Sequence, residues 1–416
     1  MDFPSSVQYL YSLGNEVKTI KLGLERISRL LLELGNPQAA YRIIHVAGTN
    51  GKGSVCSMIE SSLREAGIHT GFYTSPHLQS PTERIRINGE PVSEQVFATA
   101  FDVIHAAANR LLDMGEIDCH PTYFETVTAM CFWLFREAKV KWAVIEVGLG
   151  GRLDATNVVD PELSVITPVD LDHQQYLGNT LEQIALEKSG IIKPGRPVVL
   201  GLQHPEIRSL FVADDLEDVT TWRLSDLKLR VDGCHYLASK DDAMLEIDCP
   251  LAGGHQVGNS LTAAVALNKI GIEAETIHKG IQKATWPGRL EIIRRQPLTY
   301  LDGAHNPAAA MRLREFIKRH FDGREIWMVF GVMRDKDVHE IAGELFPLAS
   351  KLILTRAAQA RSLEPETMLT QEPHPNASIT QSVAEAVSAL KAAPAGAVVF
   401  ITGSLFVAGE ARALLQ

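Results

Sequence analysis

The stretch His45-Val46-Ala47-Gly48-Thr49-Asn50-Gly51-Lys52-Gly53-Ser54 decides how this chain is read. The apolar run Ile43–Ala47 has the composition of a buried strand, and it breaks into a glycine-rich turn before a helical pattern from Val55 to Ala66. Strand, turn and helix in that order gather backbone N–H groups and a helix N-terminus around one point, which is how proteins hold phosphate. Lys52 supplies a point charge for the outer phosphates, and the Ser54 hydroxyl can reach a bound Mg²⁺. Gly53 separates the lysine from the serine, so the spacing departs from the common loop G-x-x-x-x-G-K-[ST]. A glycine turn with no nucleotide is the competing reading. Strand, lysine and hydroxyl together favour an ATP enzyme.

Outward from this loop, short β-rich runs alternate with helical patterns, which predicts α/β architecture with a mostly parallel sheet. Strands are expected at Arg42–Ala47, Thr70–Thr74, Trp142–Val147, Leu163–Pro168 and Pro197–Leu202, with helices at Ser93–Met114, Tyr123–Ala138 and Leu181–Ile192. Thr220–Pro250 is short-patterned and polar, like a small hairpin insert, and helices resume at Val257–Ile270 and Glu273–Ala284. After Arg294–Pro297 the alternation restarts with strand-like Leu298–Leu301, Glu325–Phe330, Lys351–Thr355 and Ala397–Ile401. The expected organisation is a first domain over residues 1–295 and a smaller Rossmann-like α/β domain over 296–416.

Composition narrows the function. Of the 416 residues 45% are hydrophobic and 22% charged, as in soluble globular proteins. A net charge of −10 without any long Lys/Arg cluster argues against a nucleic-acid partner. No apolar run approaches the ~18 residues that span a bilayer. The N-terminus lacks the pattern of a secretory signal. Five scattered cysteines without a C-x-x-C pair fit a reducing cytoplasm better than a disulfide framework or a zinc site. No coiled-coil repeat or long apolar seam is present, so a monomer is expected.

Other strand ends carry candidate chemistry. Glu146 lies within the apolar run Ala143–Val147, where a carboxylate is costly unless paired or metal-bound, and the glycines of Gly148-Leu149-Gly150-Gly151 let a ligand approach the backbone. A surface glutamate on an edge strand is the plainer alternative. His173, in Val169-Asp170-Leu171-Asp172-His173, sits just past another strand, where α/β sheets place ligand groups, although a lone histidine is more often a packing or solvent residue. Lys188, in Glu187-Lys188-Ser189-Gly190, reads by itself as a solvated charge at a helix end. Asp302 and His305, in Leu301-Asp302-Gly303-Ala304-His305-Asn306-Pro307, emerge from one strand end and are available for a nucleotide ribose or acid–base work; a turn held by Asp and Asn side chains is the alternative.

Together these segments resemble the folylpolyglutamate synthase/dihydrofolate synthase family, within the Mur ligase superfamily of ATP-dependent amide-forming enzymes. The resemblance runs from Leu22-Gly23-Leu24-Glu25-Arg26 to Thr402-Gly403-Ser404-Leu405-Phe406. Its most specific marks are the Gly48–Ser54 loop, Thr74-Ser75-Pro76-His77-Leu78, Glu83-Arg84-Ile85-Arg86, Gly150–Asn157 and Asp302–Pro307. It implies a P-loop-type Mur ligase domain followed by a C-terminal glutamate-ligase domain, using ATP and two Mg²⁺ ions. By this similarity Thr49, Asn50, Gly51, Lys52, Gly53 and Ser54 hold the ATP phosphates, Asn259 contacts adenine, and Arg289 and Asp302 reach phosphates and ribose from across the domain cleft. Ser54 and Glu146 would bind one Mg²⁺; Ser75, Glu146 and His173 would bind the second. Lys188 matches the family's carbamylated lysine. Dihydropteroate contacts map onto Ile20, Lys21 and Leu22, then Thr122, Tyr123, Phe124 and Glu125, then Leu153, Asp154 and Ala155. Phe124 offers a face for a flat ring, although the start of a core helix stripe explains it equally well.

The reaction implied is ligation of L-glutamate to dihydropteroate and to tetrahydrofolates through an acyl phosphate, with Lys52, Lys188, Asp302 and His305 as the catalytic candidates. A folylpolyglutamate synthase alone is the alternative, and a cell-wall Mur-type amino-acid ligase stands third. A nucleotide-regulated binding protein is disfavoured because Glu146, His173, Lys188, Asp302 and His305 are all present.

Overall fold

The computed structural model describes residues 1–14 and 23–416, so Ile20, Lys21 and Leu22 lie outside the described residues. Contacts group the chain into two compact units. The first comprises Met1–Ser225, Leu237–Ile247 and Asn259–Ala284; the second comprises Asp226–Tyr236, Asp248–Gly258 and Thr285–Gln416.

The first unit is built on eight strands: β1 (Arg42–Ala47), β2 (Thr70–Tyr73), β3 (Ile85–Ile87), β4 (Glu90–Pro91), β5 (Trp142–Glu146), β6 (Leu163–Ile166), β7 (Val198–Leu200) and β8 (Leu216–Asp218). Their order is β4-β3-β2-β5-β1-β6-β7-β8. In that order every pairing from β2 through β8 is parallel, and the two pairings of β3, with β2 and with β4, are antiparallel. Central β1 is flanked by β5 (Val46 opposite Glu146) and β6 (Ala47 opposite Ile166). The loops leaving these three strands therefore start side by side at the C-terminal edge of a parallel sheet, where such sheets bind ligands.

Its helices are α1 (Phe3–Ser12), α2 (Glu25–Glu33), α3 (Lys52–Glu65), α4 (Glu94–Asp113), α5 (Tyr123–Glu137), α6 (Gln174–Leu177), α7 (Leu181–Ser189) and α8 (Pro205–Arg208). α4 starts where the Ser93 side chain accepts from the Val96 N–H, and it buries Phe97, Phe101, Ile104, Ala108 and Leu111 at helical spacing. α5 starts in a capping box between Thr122 and Glu125.

A three-stranded sheet follows, in the order β11-β10-β9, from β9 (Arg223–Arg230), β10 (Gly233–Lys240) and β11 (Ala243–Cys249), in the stretch read as a hairpin insert. Then come α9 (His255–Lys269) and α10 (Ala274–Gln282). In the second unit β12 (Glu291–Arg295), β13 (Leu298–Leu301), β14 (Ile326–Phe330), β15 (Lys351–Leu354), β16 (Ala377–Ile379) and β17 (Val398–Thr402) form a six-stranded sheet ordered β12-β13-β17-β14-β15-β16. Its helices are α11 (Pro307–Phe321), α12 (Val338–Leu345), α13 (Pro365–Gln371), α14 (Val383–Ala389) and α15 (Leu405–Leu415).

The segment read as the domain boundary is a hairpin of this second sheet: β12 pairs antiparallel with β13, Arg295 opposite Leu298, around Gln296-Pro297. The contact division between the units accordingly falls before it, at Ala284/Thr285. Tyr300 of β13 stacks on Phe400 of β17 at 5.1 Å and 8°, filling the core of this unit. Among the described residues, no helix is long and apolar enough to cross a membrane.

Candidate active site

The loop read as phosphate-binding turns on glycines that cannot be replaced without collision. Gly48 has φ +152° and leaves no room for a Cβ, which would fall 1.9 Å from Thr167 Oγ1. Gly51 has φ +87° and caps α3, with Asn259 Oδ1 only 2.3 Å from where a Cβ would stand. Asn259 is thus packed directly onto the loop. The leading half of the loop is fastened to the end of β6: the Thr49 and Asn50 N–H groups donate to Pro168 O at 2.9 and 3.2 Å. The Thr49 hydroxyl donates to Asp170 O at 3.0 Å, and Asn50 Nδ2 donates to the Asp170 carboxylate at 2.8 Å. The start of α3, with Lys52, Gly53 and buried Ser54 in its first turn, is the anion-attracting end.

Two lysines converge on one carbonyl. Lys52 Nζ donates to Gly48 O at 3.1 Å and Thr49 O at 3.2 Å, and Lys188 Nζ donates to Gly48 O at 2.8 Å. Lys188 is only 4% exposed, so the sequence reading of a solvated charge does not hold. It lies on α7, which packs so closely on the Gly150-Gly151 turn that Gly151 has its neighbours in the backbone of Glu187 and Lys188. Burial first, and the Lys52 cation second, push its amine down from 10.5 to about 7; Asp172 and Asp154 oppose this.

Glu146 ends β5, is 4% exposed, and accepts from the Thr74 hydroxyl and, at 3.4 Å, from the Ser75 N–H. The surface-glutamate alternative is therefore set aside. His173 caps α6 with φ +52°, and its ring lies 4.0 Å from the Asp172 carboxylate with about a third of the side chain exposed. Among the described residues no group of three or more His, Cys, Asp or Glu forms a metal site. A hydroxyl-rich set with one carboxylate suits Mg²⁺, a hard cation usually held by one or two carboxylates together with substrate phosphates and water.

The residues implied for pteroate divide into three situations. Thr122 and Glu125 are tied up at the start of α5: the Glu125 carboxylate accepts from the Thr122 N–H and hydroxyl, both at 2.8 Å, and from Arg26 Nε and Nη2 at 3.0 and 2.8 Å. Asp154 is buried and accepts from Leu149 N at 2.8 Å, Thr156 N at 3.0 Å and the Thr156 hydroxyl; burial raises its carboxyl, and these hydrogen bonds counter the rise. It anchors the Gly148–Gly151 loop, and Ala155 starts the short 3₁₀ turn behind it. Tyr123 stacks parallel to Tyr11 at 5.6 Å with the Arg84 guanidinium 5.2 Å from its ring centre. Phe124 and Leu153 are half-buried, and the Phe124 ring packs on Gly148 where no side chain would fit.

In the second unit, Asp302 follows β13 and accepts from Leu290 N at 3.0 Å and Ala304 N at 2.9 Å. Burial raises its carboxyl and Arg289 draws it back. Arg289 Nη1 donates to Gly288 O at 3.2 Å and crowds Gly303. His305 Nδ1 lies 2.7 Å from Gly303 O; a carbonyl only accepts, so this nitrogen carries the proton and Nε2 is the basic one in the neutral ring. Sequence reasoning missed Thr74, Arg26 and Asp170 as partners of site residues. Each stood within or beside a quoted motif, but nothing in the sequence pairs residues so far apart.

Comparison with known proteins shows the family. The Mur ligase middle domain matches residues 46–267, and the Mur ligase glutamate ligase domain matches residues 288–405. The Bacillus subtilis dihydrofolate synthase/folylpolyglutamate synthase is 34% identical over 420 residues, covering 95% of this chain and 96% of that protein. This chain belongs to the dihydrofolate synthase/folylpolyglutamate synthase family. Two solved structures of the family superpose end to end. Escherichia coli FolC in complex with DHPP and ADP gives a TM-score of 0.89 at 33% identity, covering 100% and 98% of the two chains. Mycobacterium tuberculosis folylpolyglutamate synthase with ADP and AMPPCP gives 0.91 at 31%, covering 100% and 99%. Some family members are longer: the chain spans about half of a Haloferax volcanii relative, covering 50% of it at 35% identity.

Proposed function

We propose that this protein, an ATP-dependent ligase, joins L-glutamate to dihydropteroate to form dihydrofolate and to tetrahydrofolates to extend their polyglutamate tail. The observation that carries the reading is the meeting of Lys52 and buried Lys188 at the Gly48 carbonyl, on the sheet edge to which β5 delivers Glu146. In the first step a pteroate or folate carboxylate attacks the γ-phosphorus of ATP, giving an acyl phosphate and ADP. In the second the glutamate amine attacks the acyl carbon and phosphate leaves.

Ser54 with Glu146, and Ser75 and His173 with Glu146, would hold two Mg²⁺ ions, which when bound neutralise phosphate charge. Lys52 adds a fixed cation at the same end of α3. Asn259 and, in the second unit, Arg289 and Asp302 are read as nucleotide contacts. Phe124, Tyr123 and Leu153 border the pteroate. Thr122, Glu125, Asp154 and Ala155 support it from behind, because their polar groups are spent within the protein or buried. The likeness over the whole chain to E. coli FolC, solved in complex with DHPP and ADP, supports the reading of a nucleotide-dependent ligase. The protein is read as a cytoplasmic monomer acting on small molecules, and neither nucleic acid nor membrane enters the reading.

Phosphate release from Mg·ATP and L-glutamate tests the function. Release on adding dihydropteroate, and again on adding tetrahydrofolate, is the expected result. Release with tetrahydrofolate alone reduces the protein to a folylpolyglutamate synthase, as the 35% identical Lacticaseibacillus casei relative is named.

His305 is read as the acceptor of the incoming amine's proton, through Nε2, its Nδ1–H being held by Gly303 O. His305→Ala lowers kcat about 100-fold and leaves ATP affinity nearly unchanged in a nucleotide titration. Equal losses in both refute a role confined to the chemical step.

A further inference from the structure

The phosphate loop has a structural weakness that the chain corrects from outside. Thr49 and Asn50 lie between two glycines at φ +152° and +87°, which leave the backbone on either side of them its widest conformational freedom. They are confined by the strand-end segment after β6. Pro168 O takes both of their N–H groups, Asp170 O takes the Thr49 hydroxyl, and one Asp170 carboxylate oxygen takes Asn50 Nδ2 at 2.8 Å. The other oxygen lies 2.8 Å from His204 Nε2, in the loop after β7. The neighbouring Gln203 grips the same segment, accepting from Val169 N at 3.1 Å and donating to Thr167 O at 3.1 Å. Three successive strand ends are thus latched through one carboxylate, with both oxygens engaged by the protein.

We propose that Asp170, backed by His204, is a positioning residue that holds the Thr49-Asn50 half of the phosphate loop in its nucleotide-binding shape. The proposal rests on the reading of Gly48–Ser54 as the ATP phosphate site. A brace of this kind acts on nucleotide affinity by removing the disorder that binding would otherwise have to suppress. An anion beside a phosphate site would by itself weaken binding, so a gain from Asp170 must come through geometry rather than charge.

The test is steady-state kinetics with ATP varied, together with direct Mg·ATP titration of the full chain. Asp170→Ala raises the KM for ATP about tenfold, in the range of residues that orient a ligand shell. Its kcat and its KM for L-glutamate stay within about twofold. Asp170→Asn, whose carboxamide oxygen still accepts from Asn50 and whose NH₂ can donate to the other imidazole tautomer, restores the KM to within about threefold of the parent. His204→Ala gives a smaller rise of about threefold, and it carries the test should Asp170→Ala fold poorly. An unchanged KM for ATP in Asp170→Ala or His204→Ala overturns the proposal, as does an Asn variant as impaired as the Ala variant. Lys52→Ala separates the two readings. If it retains full nucleotide affinity, the phosphate-loop reading itself fails; if it loses affinity while the Asp170 and His204 variants do not, only the brace fails.

Discussion

Lys188→Ala lowers folate- and glutamate-dependent phosphate release about 10³-fold, the scale of losing a buried electrostatic group at a reacting centre, and short carboxylic acids return part of the rate. The argument starts from burial. A lysine 4% exposed, 2.8 Å from the Gly48 carbonyl and close to the Lys52 cation, is a poor place for a second positive charge. Its amine is accordingly held near 7 instead of 10.5, so the unprotonated form is accessible at neutral pH. In the modification we propose for Lys188, the free amine attacks CO₂: an N–C bond forms, one proton leaves to solvent, and a carbamate anion replaces the cation. That anion presents oxygen on the edge where Ser54 and Glu146 are read as Mg²⁺ ligands.

The pH dependence has a definite sign. Below about 7 the amine is protonated and cannot be carbamylated, so activity falls on the acid side and is restored by raising pH and bicarbonate together. In CO₂-free buffer the unmodified lysine is protonated in both folded and unfolded states below about 7, where the burial penalty is fully felt. As pH rises from about 7 toward 10.5 the folded state sheds its proton first, and the protein gains stability relative to Lys188→Met. A flat activity profile over this range, with no rescue of Lys188→Ala by carboxylic acids, removes the carbamate from the mechanism.

Glu125→Ala lowers the unfolding free energy by about 3–5 kcal/mol, the cost of leaving a buried charge without its partner. Arg26 and Glu125 have side chains 9% and 5% exposed and meet at 2.8 Å. The same carboxylate closes the capping box of α5, so the substitution also strips the first turn of that helix. Urea unfolding measures the loss. Replacing both partners, Arg26→Leu with Glu125→Leu, recovers much of it, because no unpaired charge then remains. The result also tests the residue's function: Glu125→Gln with parent stability and a large rise in the KM for dihydropteroate alone restores Glu125 to direct substrate contact.

Much of the first unit was legible along the chain. β1, the glycine turn and α3 are consecutive, and a continuous apolar run that breaks at glycines before a helical pattern marks them without tertiary information. The capping box at Thr122–Glu125 and the start of α4 at Ser93 are equally local signals. β12 was not legible: Glu291–Arg295 is short, with three of its five residues charged, and looks like a linker until Leu298–Leu301 pairs with it. The two short edge strands β3 and β4 escaped for the same reason, since two or three residues carry no measurable period.

The site divides along the same line. The reading of Gly48, Gly51, Lys52 and Ser54 as a phosphate loop needs the sequence alone, because it rests on neighbours a few residues away, through backbone dihedrals and a helix N-terminus. Lys188 could not, because a lysine at a helix end is ordinarily solvated, and only the packing of α7 on the Gly150-Gly151 turn buries it. Glu125 and Asp154 are pteroate contacts only as the family resemblance implies them, and no sequence signal pairs their carboxylates with Arg26, Thr122 and Thr156 as the fold does. The Asn50–Asp170–His204 latch joins residues 120 and 34 positions apart. Local order along the chain determines what a segment can become. Burial and the pairing of distant charges, which set pKa and hydrogen-bond commitment, exist only once β1, β6 and β7 lie in register.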